Sequence, residues 1–136
     1  MLRALIRANA QNAAIGLIVD PLAARAAHDA GQGATAQFRI GGHPGLPDDA
    51  PVETLALVES LSDGKLQATG PYYGGTMLDL GPSACLRIGG VRVVVTSRIA
   101  QMADREMFRF AGIAPEDQSI LVVKSSTHFR ADFAPI

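Results

Sequence analysis

Lys124, Ser125, Ser126, Thr127, His128 and Arg130 bring an ammonium, three hydroxyls, an imidazole and a guanidinium into seven residues, and no other stretch is as dense in such groups. These residue types suit recognition of a carboxylate or phosphate, with lysine as a point charge, arginine as a planar fork and backbone N–H groups between them. They do not by themselves make a catalyst. Lys124-Ser125-Ser126 loosely echoes the end of a phosphate-binding loop, but the glycines of G-x-x-x-x-G-K-[ST] are missing. No G-x-S-x-G elbow activates Ser125 or Ser126, so no catalytic residue is assigned to this chain. The competing reading is a capped helix start whose His128 and Arg130 face water or a neighbouring domain.

Metal chemistry is not expected here either. His28, His43 and His128 lie far apart, with no H-x-H or H-x-x-x-H pairing, whereas a zinc site needs three or four ligands. His28 sits in an alanine-rich helix and reads as a surface residue; His43 falls in a Gly/Pro loop. The lone Cys85 excludes an internal disulfide and any multi-cysteine zinc site, and it suits a reducing compartment.

The elements that must position the polar cluster follow from local pattern. Ser119–Val123 ends in the apolar run Ile120, Leu121, Val122, Val123, short enough for a buried strand. The hydroxyls after it suit a helix start, because they can accept hydrogen bonds from free first-turn N–H groups. Leu2–Ala10 carries Leu2, Leu5 and Ile6 at helical spacing, and Ala14–Val19 reads as a buried strand. Asp20-Pro21 is an N-cap followed by a first-position proline. The helix it opens has an alanine stripe that favours close packing on a sheet, and Gly31 ends it.

Ala34–Ile40 alternates apolar and polar residues, as a strand with one wet face does. Gly41–Ala50 is too rich in Gly and Pro for regular structure. Val52–Leu61 is expected to pair with Leu66–Thr69 across the turn Ser62-Asp63-Gly64-Lys65. Gly70–Gly75 is a loop whose Tyr72 and Tyr73 are expected to cap the core rather than touch a ligand. A second hairpin joins Ser83–Ile88 to Val91–Ser97 across Gly89-Gly90. Its register sets Ile88 against Val91, Leu86 against Val93 and Ala84 against Val95. Arg87 then faces Arg92, an unfavourable pair on a ladder unless water, a carboxylate or an anion intervenes; two solvated arginines are expected. Asp104–Ala111 forms a short helix with Met107, Phe108 and Ala111 inward, ended by Gly112. The fold class is therefore α/β (mixed α+β), a single domain over residues 1–136 with a mixed sheet containing two hairpins and flanked by short helices.

Composition narrows the partners. With 48% hydrophobic and 18% charged residues the chain is globular. A formal charge of -1 gives no electrostatic case for nucleic acid or an acidic membrane, and two Tyr, five Phe and no Trp make poor stacking platforms. Asn9, Gln11 and Asn12 interrupt the N-terminal apolar stretch, and nothing approaches the ~20 apolar residues of a spanning helix. A cytoplasmic protein is expected.

VRVVVTSRIAQMADREMFRFAGIAP followed by SILVVKSSTHFRADFAPI closely resembles the C-terminal domain of the MlrC-type microcystinase family. GLIVDPLAARAAHDAGQGA and GPYYGGTMLDLGPSACLRIGG resemble it too, in the right order across nearly the whole chain. VVVTSR and LVVKSSTHFR are the most distinctive segments. The resemblance implies a zinc-dependent hydrolase of the metallopeptidase type, with Asp and His ligands on a larger N-terminal domain. It also implies a DNPGGG-type segment upstream and further residues beyond Ile136, so this chain is expected to be a domain lacking the metal-binding half.

Three functions follow as expectations. In the first the chain is an accessory domain, inactive alone, with Lys124, Ser125, Ser126, His128 and Arg130 contacting a peptide or small-molecule substrate in a cleft shared with the N-terminal metal-binding domain. It carries no cofactor itself, zinc belonging to the other domain. The second is an independent module for a small anion. The third is a structural or homo-oligomerising domain.

Overall fold

The structure, a computed structural model, describes residues 1–42 and 49–136. Most of the expected loop Gly41–Ala50, His43 included, lies outside the described residues. Chain order is α1 (Leu2–Arg7), β1 (Ala13–Val19), α2 (Pro21–Ala30), β2 (Thr35–Ile40), β3 (Val52–Ser62), β4 (Lys65–Gln67), β5 (Met77–Asp79), β6 (Ser83–Ile88), β7 (Val91–Thr96), α3 (Glu106–Arg109), a 3-10 turn (Pro115–Asp117), β8 (Ile120–Val123) and α4 (Arg130–Phe133). Six strands form one mixed sheet in the order β2-β3-β6-β7-β1-β8, and β4 and β5 form a separate pair. The β2–β3, β3–β6 and β6–β7 pairings are antiparallel, while β1 runs parallel to both β7 and β8. The fold is mixed α+β, as the residue patterns indicate.

Both faces of the sheet are covered, which is why β1 is a nearly continuous apolar run. On one face Ala13, Ile15, Val91, Val93, Val95 and Leu86 pack against Leu2 of α1 and Ala23, Ala24 and Ala27 of α2. The alanines let α2 lie close to the strands. Asp20 caps it, accepting from Ala23 N at 2.9 Å, with Pro21 at the first position. On the other face Ala14, Leu17, Cys85 and Val94 meet Met102, Met107, Phe108, Ile113 and Phe133.

The β6–β7 hairpin has the expected register, with Ile88↔Val91, Leu86↔Val93 and Ala84↔Val95, and with Arg87 across from Arg92. The arginines are not simply solvated. Glu59 from β3 takes Arg92 Nε at 2.7 Å and lies 3.7 Å from Arg87, so a carboxylate resolves the like-charge pair.

Three other expectations are corrected. Leu66–Thr69 does not return along β3, because β2 and β6 occupy both edges of that strand. Residues 65–67 instead pair with 77–79, with Leu66 opposite Leu78. β8 is not a fully buried strand: it is the sheet edge, bonded to β1 alone, with Ile120 exposed and the next three residues half-buried. Two helices are shorter than expected. α1 stops at Arg7 and α3 holds only Glu106–Arg109, although Met107, Phe108 and Ala111 do face inward.

Candidate functional site

The chain leaves β1 toward the face covered by α2, and it leaves β7 toward the face where Met102 and Phe108 pack. Two neighbouring parallel strands whose C-terminal connections diverge to opposite faces open a crevice between them, the usual position of a ligand in sheets of this kind. A cleft of about 420 Å³ lies at this end, lined by Met1, Ile18, Val19, Gly42, Ile99 and Lys124 among others. Ile99 is 87% exposed, so the rim is partly apolar.

The sequence-predicted residues occupy different positions around this end. Lys124 is exposed on the cleft wall, its backbone N–H donating to Gly16 O at 2.9 Å. Ser125 turns its hydroxyl inward, where the oxygen is buried with no hydrogen-bond partner. Ser126 and Thr127 are exposed. His128 is exposed but held: its ring lies on Tyr72, with centroids 4.5 Å apart and planes at 32°, and its Nδ1 is hydrogen-bonded with Gln101 Oε1. Arg130 opens α4, its guanidinium 6.0 Å from the Phe129 ring centroid. Neither Lys124 nor Arg130 forms a salt bridge among the described residues.

The hydroxyls are not helix caps. The residue before α4 is Phe129, and no side chain caps the helix. Phe129 and Phe133 pack into the second core, and this anchorage turns the chain through two bends before α4 begins. A four-residue helix also aligns few peptide dipoles, so the electrostatic argument for an anion at its start weakens.

Residues that sequence reasoning missed hold the loops together beneath. Asp104 is fully buried; one carboxylate oxygen accepts from Gly70 N at 2.7 Å and the other from Glu106 N at 2.9 Å. Asp132, also buried, accepts from Arg105 N at 2.6 Å and from Arg105 Nε at 3.3 Å. These bonds tie the Gly70 loop, the segment before α3 and α4 into one unit. Glycine is needed at position 70, because a Cβ there would lie 2.9 Å from Asp132 Cγ and 3.0 Å from Asp104 Oδ2. The one local signal was an aspartate at the start of an expected helix; its distant partners leave no trace in spacing.

Tyr73 is half-buried against the second core, as expected of a capping tyrosine, and its hydroxyl donates to Gln101 O at 2.8 Å. Burial is the main reason its phenol is shifted upward. Tyr72 is 43% exposed and joins the polar cluster instead. His28 is exposed, with Nε2 3.0 Å from Ser83 O. No three His, Cys, Asp or Glu side chains among the described residues gather as a metal site would require. No helix among them is long and apolar enough to cross a membrane.

This is a mixed α+β domain whose polar wall is assembled from three loops at one end of its parallel strands. The family model described as MlrC C-terminus matches residues 1–136, and the chain belongs to that family. It is 30% identical over 119 residues to Microcystinase C of Sphingomonas sp., an alignment covering 88% of this chain and 23% of that protein. It is also similar to the crystal structure of a candidate metallopeptidase from Mesorhizobium sp. BNC1, with a TM-score of 0.86, 26% identity, and 99% of this chain and 27% of the other covered. The chain therefore spans about a quarter of the length of each.

Proposed function

We propose that this chain is the accessory C-terminal domain of a zinc-dependent, metallopeptidase-like hydrolase of the MlrC type, and that it is inactive alone. Its Lys124, Ser125, Ser126, His128 and Arg130 form one wall of a substrate cleft closed by an N-terminal metal-binding domain. When bound there, zinc supplies an activated water. This chain contributes contacts to a peptide or small-molecule substrate: the Arg130 fork and Lys124 charge suit a carboxylate, and His128 a neighbouring polar hydrogen. The lone buried Cys85 is in keeping with a reducing, cytoplasmic setting.

The observation that carries this reading is the placement of His128, stacked on Tyr72 and bonded to Gln101 at the open end of the parallel strands. A solvated surface histidine needs neither partner. The microcystinase and the metallopeptidase that the chain resembles supply the hydrolase context.

The test is made in a full-length hydrolase containing this domain. His128→Ala and Arg130→Ala are each expected to lower kcat/KM by about tenfold or more, in the range lost when a charged or hydrogen-bonded substrate contact goes. Unchanged kinetics in both would defeat the proposal. Metal analysis should find zinc with the full-length protein and none held stoichiometrically by the 136-residue chain; one zinc per short chain would overturn the division of roles.

A further inference from the structure

Four residues close a ring on the side of the sheet where Tyr73 and Phe129 pack into the second core. Tyr73 bonds to the Gln101 carbonyl, Gln101 Oε1 bonds to His128 Nδ1, His128 lies on Tyr72, and Tyr72 meets Tyr73 edge-on at 4.9 Å and 83°. Three separate segments supply them, and these are the segments that Asp104 and Asp132 tie together beneath the surface. Gly70 precedes Tyr72 by two residues, Asp104 follows Gln101 by three, and Asp132 follows His128 by four. The exposed ring therefore stands on a buried, hydrogen-bonded base.

We propose that Gln101 and Tyr72 are positioning residues that hold His128 with its ring proton on Nδ1, leaving Nε2 as the acceptor for a hydrogen bond from an N–H or O–H of the substrate. The inference rests on the cleft reading above and adds the tautomer and its cause. An amide oxygen has no proton to give, so a bond between Gln101 Oε1 and Nδ1 requires the proton on Nδ1 and leaves Nε2 as the acceptor. A carboxylate at position 101 would make the same bond but would favour the imidazolium, which cannot accept. The neutral amide selects the tautomer without adding that charge. Stacking on Tyr72 sets the ring plane, limiting the rotations an exposed side chain otherwise explores.

Two readouts test it, one independent of catalysis. Long-range proton–nitrogen NMR spectra of the 136-residue chain are expected to show His128 protonated at Nδ1, moving toward the Nε2–H form in Gln101→Ala. An Nε2–H tautomer in the unaltered chain, or no change in Gln101→Ala, overturns the inference. In the full-length hydrolase, Gln101→Ala and Tyr72→Ala are expected to lower kcat by about tenfold with KM little altered, the loss that follows when a reacting group is misplaced. Tyr72→Phe should recover most of what Tyr72→Ala loses, since the ring is what orients the histidine. On a His128→Ala background, Gln101→Ala should add nothing further. A silent His128→Ala would count against the cleft reading, whereas an impaired His128→Ala beside a normal Gln101→Ala would overturn this inference alone.

Discussion

Glu59 holds Arg92 with both carboxylate oxygens, at 2.7 Å to Nε and 3.2 Å to the terminal nitrogen, and so relieves the Arg87–Arg92 pairing on the β6–β7 ladder. Burial pushes the Glu59 carboxyl up, but hydrogen bonding and charge from Arg92, the Cys85 thiol and the Arg87 charge together hold it below the ordinary glutamate value. A carboxyl depressed in the folded state contributes stability that is complete above its unfolded pKa and is lost as pH falls through its folded pKa. Glu59→Gln is therefore expected to destabilise the chain by about 1–3 kcal/mol at neutral pH, the usual range for a hydrogen bond to a charged group. Urea titrations should show the gap between parent and variant holding down to about pH 5 and narrowing below about 4.3, the ordinary glutamate value. An equal gap at pH 7 and pH 3 would contradict this account.

Gly70 packs its α-carbon against two buried carboxylates, and a methyl group there would overlap Asp132 Cγ and Oδ2 at 2.9 Å. The carboxylates cannot retreat without lengthening their bonds to Gly70 N and Arg105 N. Gly70→Ala is expected to cost about 1–3 kcal/mol, as overpacking a tight site does. Equilibrium unfolding by urea measures it. A change under about 0.5 kcal/mol, the scale of ordinary surface substitutions, would show that the aspartates do not confine this backbone.

Where the physics is local, the residues announce the structure. Asp20 and Pro21 cap and start α2 by contacts within one helical turn, and the hairpin at Gly89-Gly90 sets its own register. Where the deciding contact is distant, nothing in spacing reveals it. β4 follows a good turn, yet it cannot return along β3 because β2 and β6 already flank that strand. Asp104 and Asp132 meet around Gly70 only after the chain has folded. The polar residues of the C-terminal segment were visible as a cluster. The neighbours of His128, Tyr72 and Gln101, come from two other loops, and the expected helix caps in the segment did not form.

The two glycines of the β6–β7 turn do different work, although a two-residue loop invites positive φ at both. Gly89 has φ 58° and open space around it, whereas a Cβ on Gly90 would sit 2.5 Å from Ala10 O and 2.7 Å from Gln11 Cα. Asparagine tolerates the left-handed conformation, so Gly89→Asn is expected to cost less than about 1 kcal/mol. Gly90→Ala meets backbone that also fixes the entry to β1, where Ala13 N donates to Gly90 O at 3.0 Å. Its cost should exceed about 2 kcal/mol, on the scale of overpacked interiors. Thermal or urea unfolding of the two variants decides the matter, and a reversed order would refute the division of roles.

Cys85 is fully buried between Glu59 and the second core. Burial first, then the negative charge of Glu59 and the hydrogen bond to it, push the thiol far above the ordinary cysteine range. Since the thiolate is the reactive form, the folded chain should resist thiol-disulfide reagents and react fully once unfolded in guanidinium. If labelling proceeds through global opening, its rate follows the unfolded fraction, and Glu59→Gln should accelerate it about tenfold for each 1.4 kcal/mol of lost stability. Removing the Glu59 charge also lowers the barrier to ionising the neighbouring thiol. Acceleration beyond that stability factor would therefore mark local opening at Cys85, and an immediate reaction in the unaltered folded chain would refute the burial of this site.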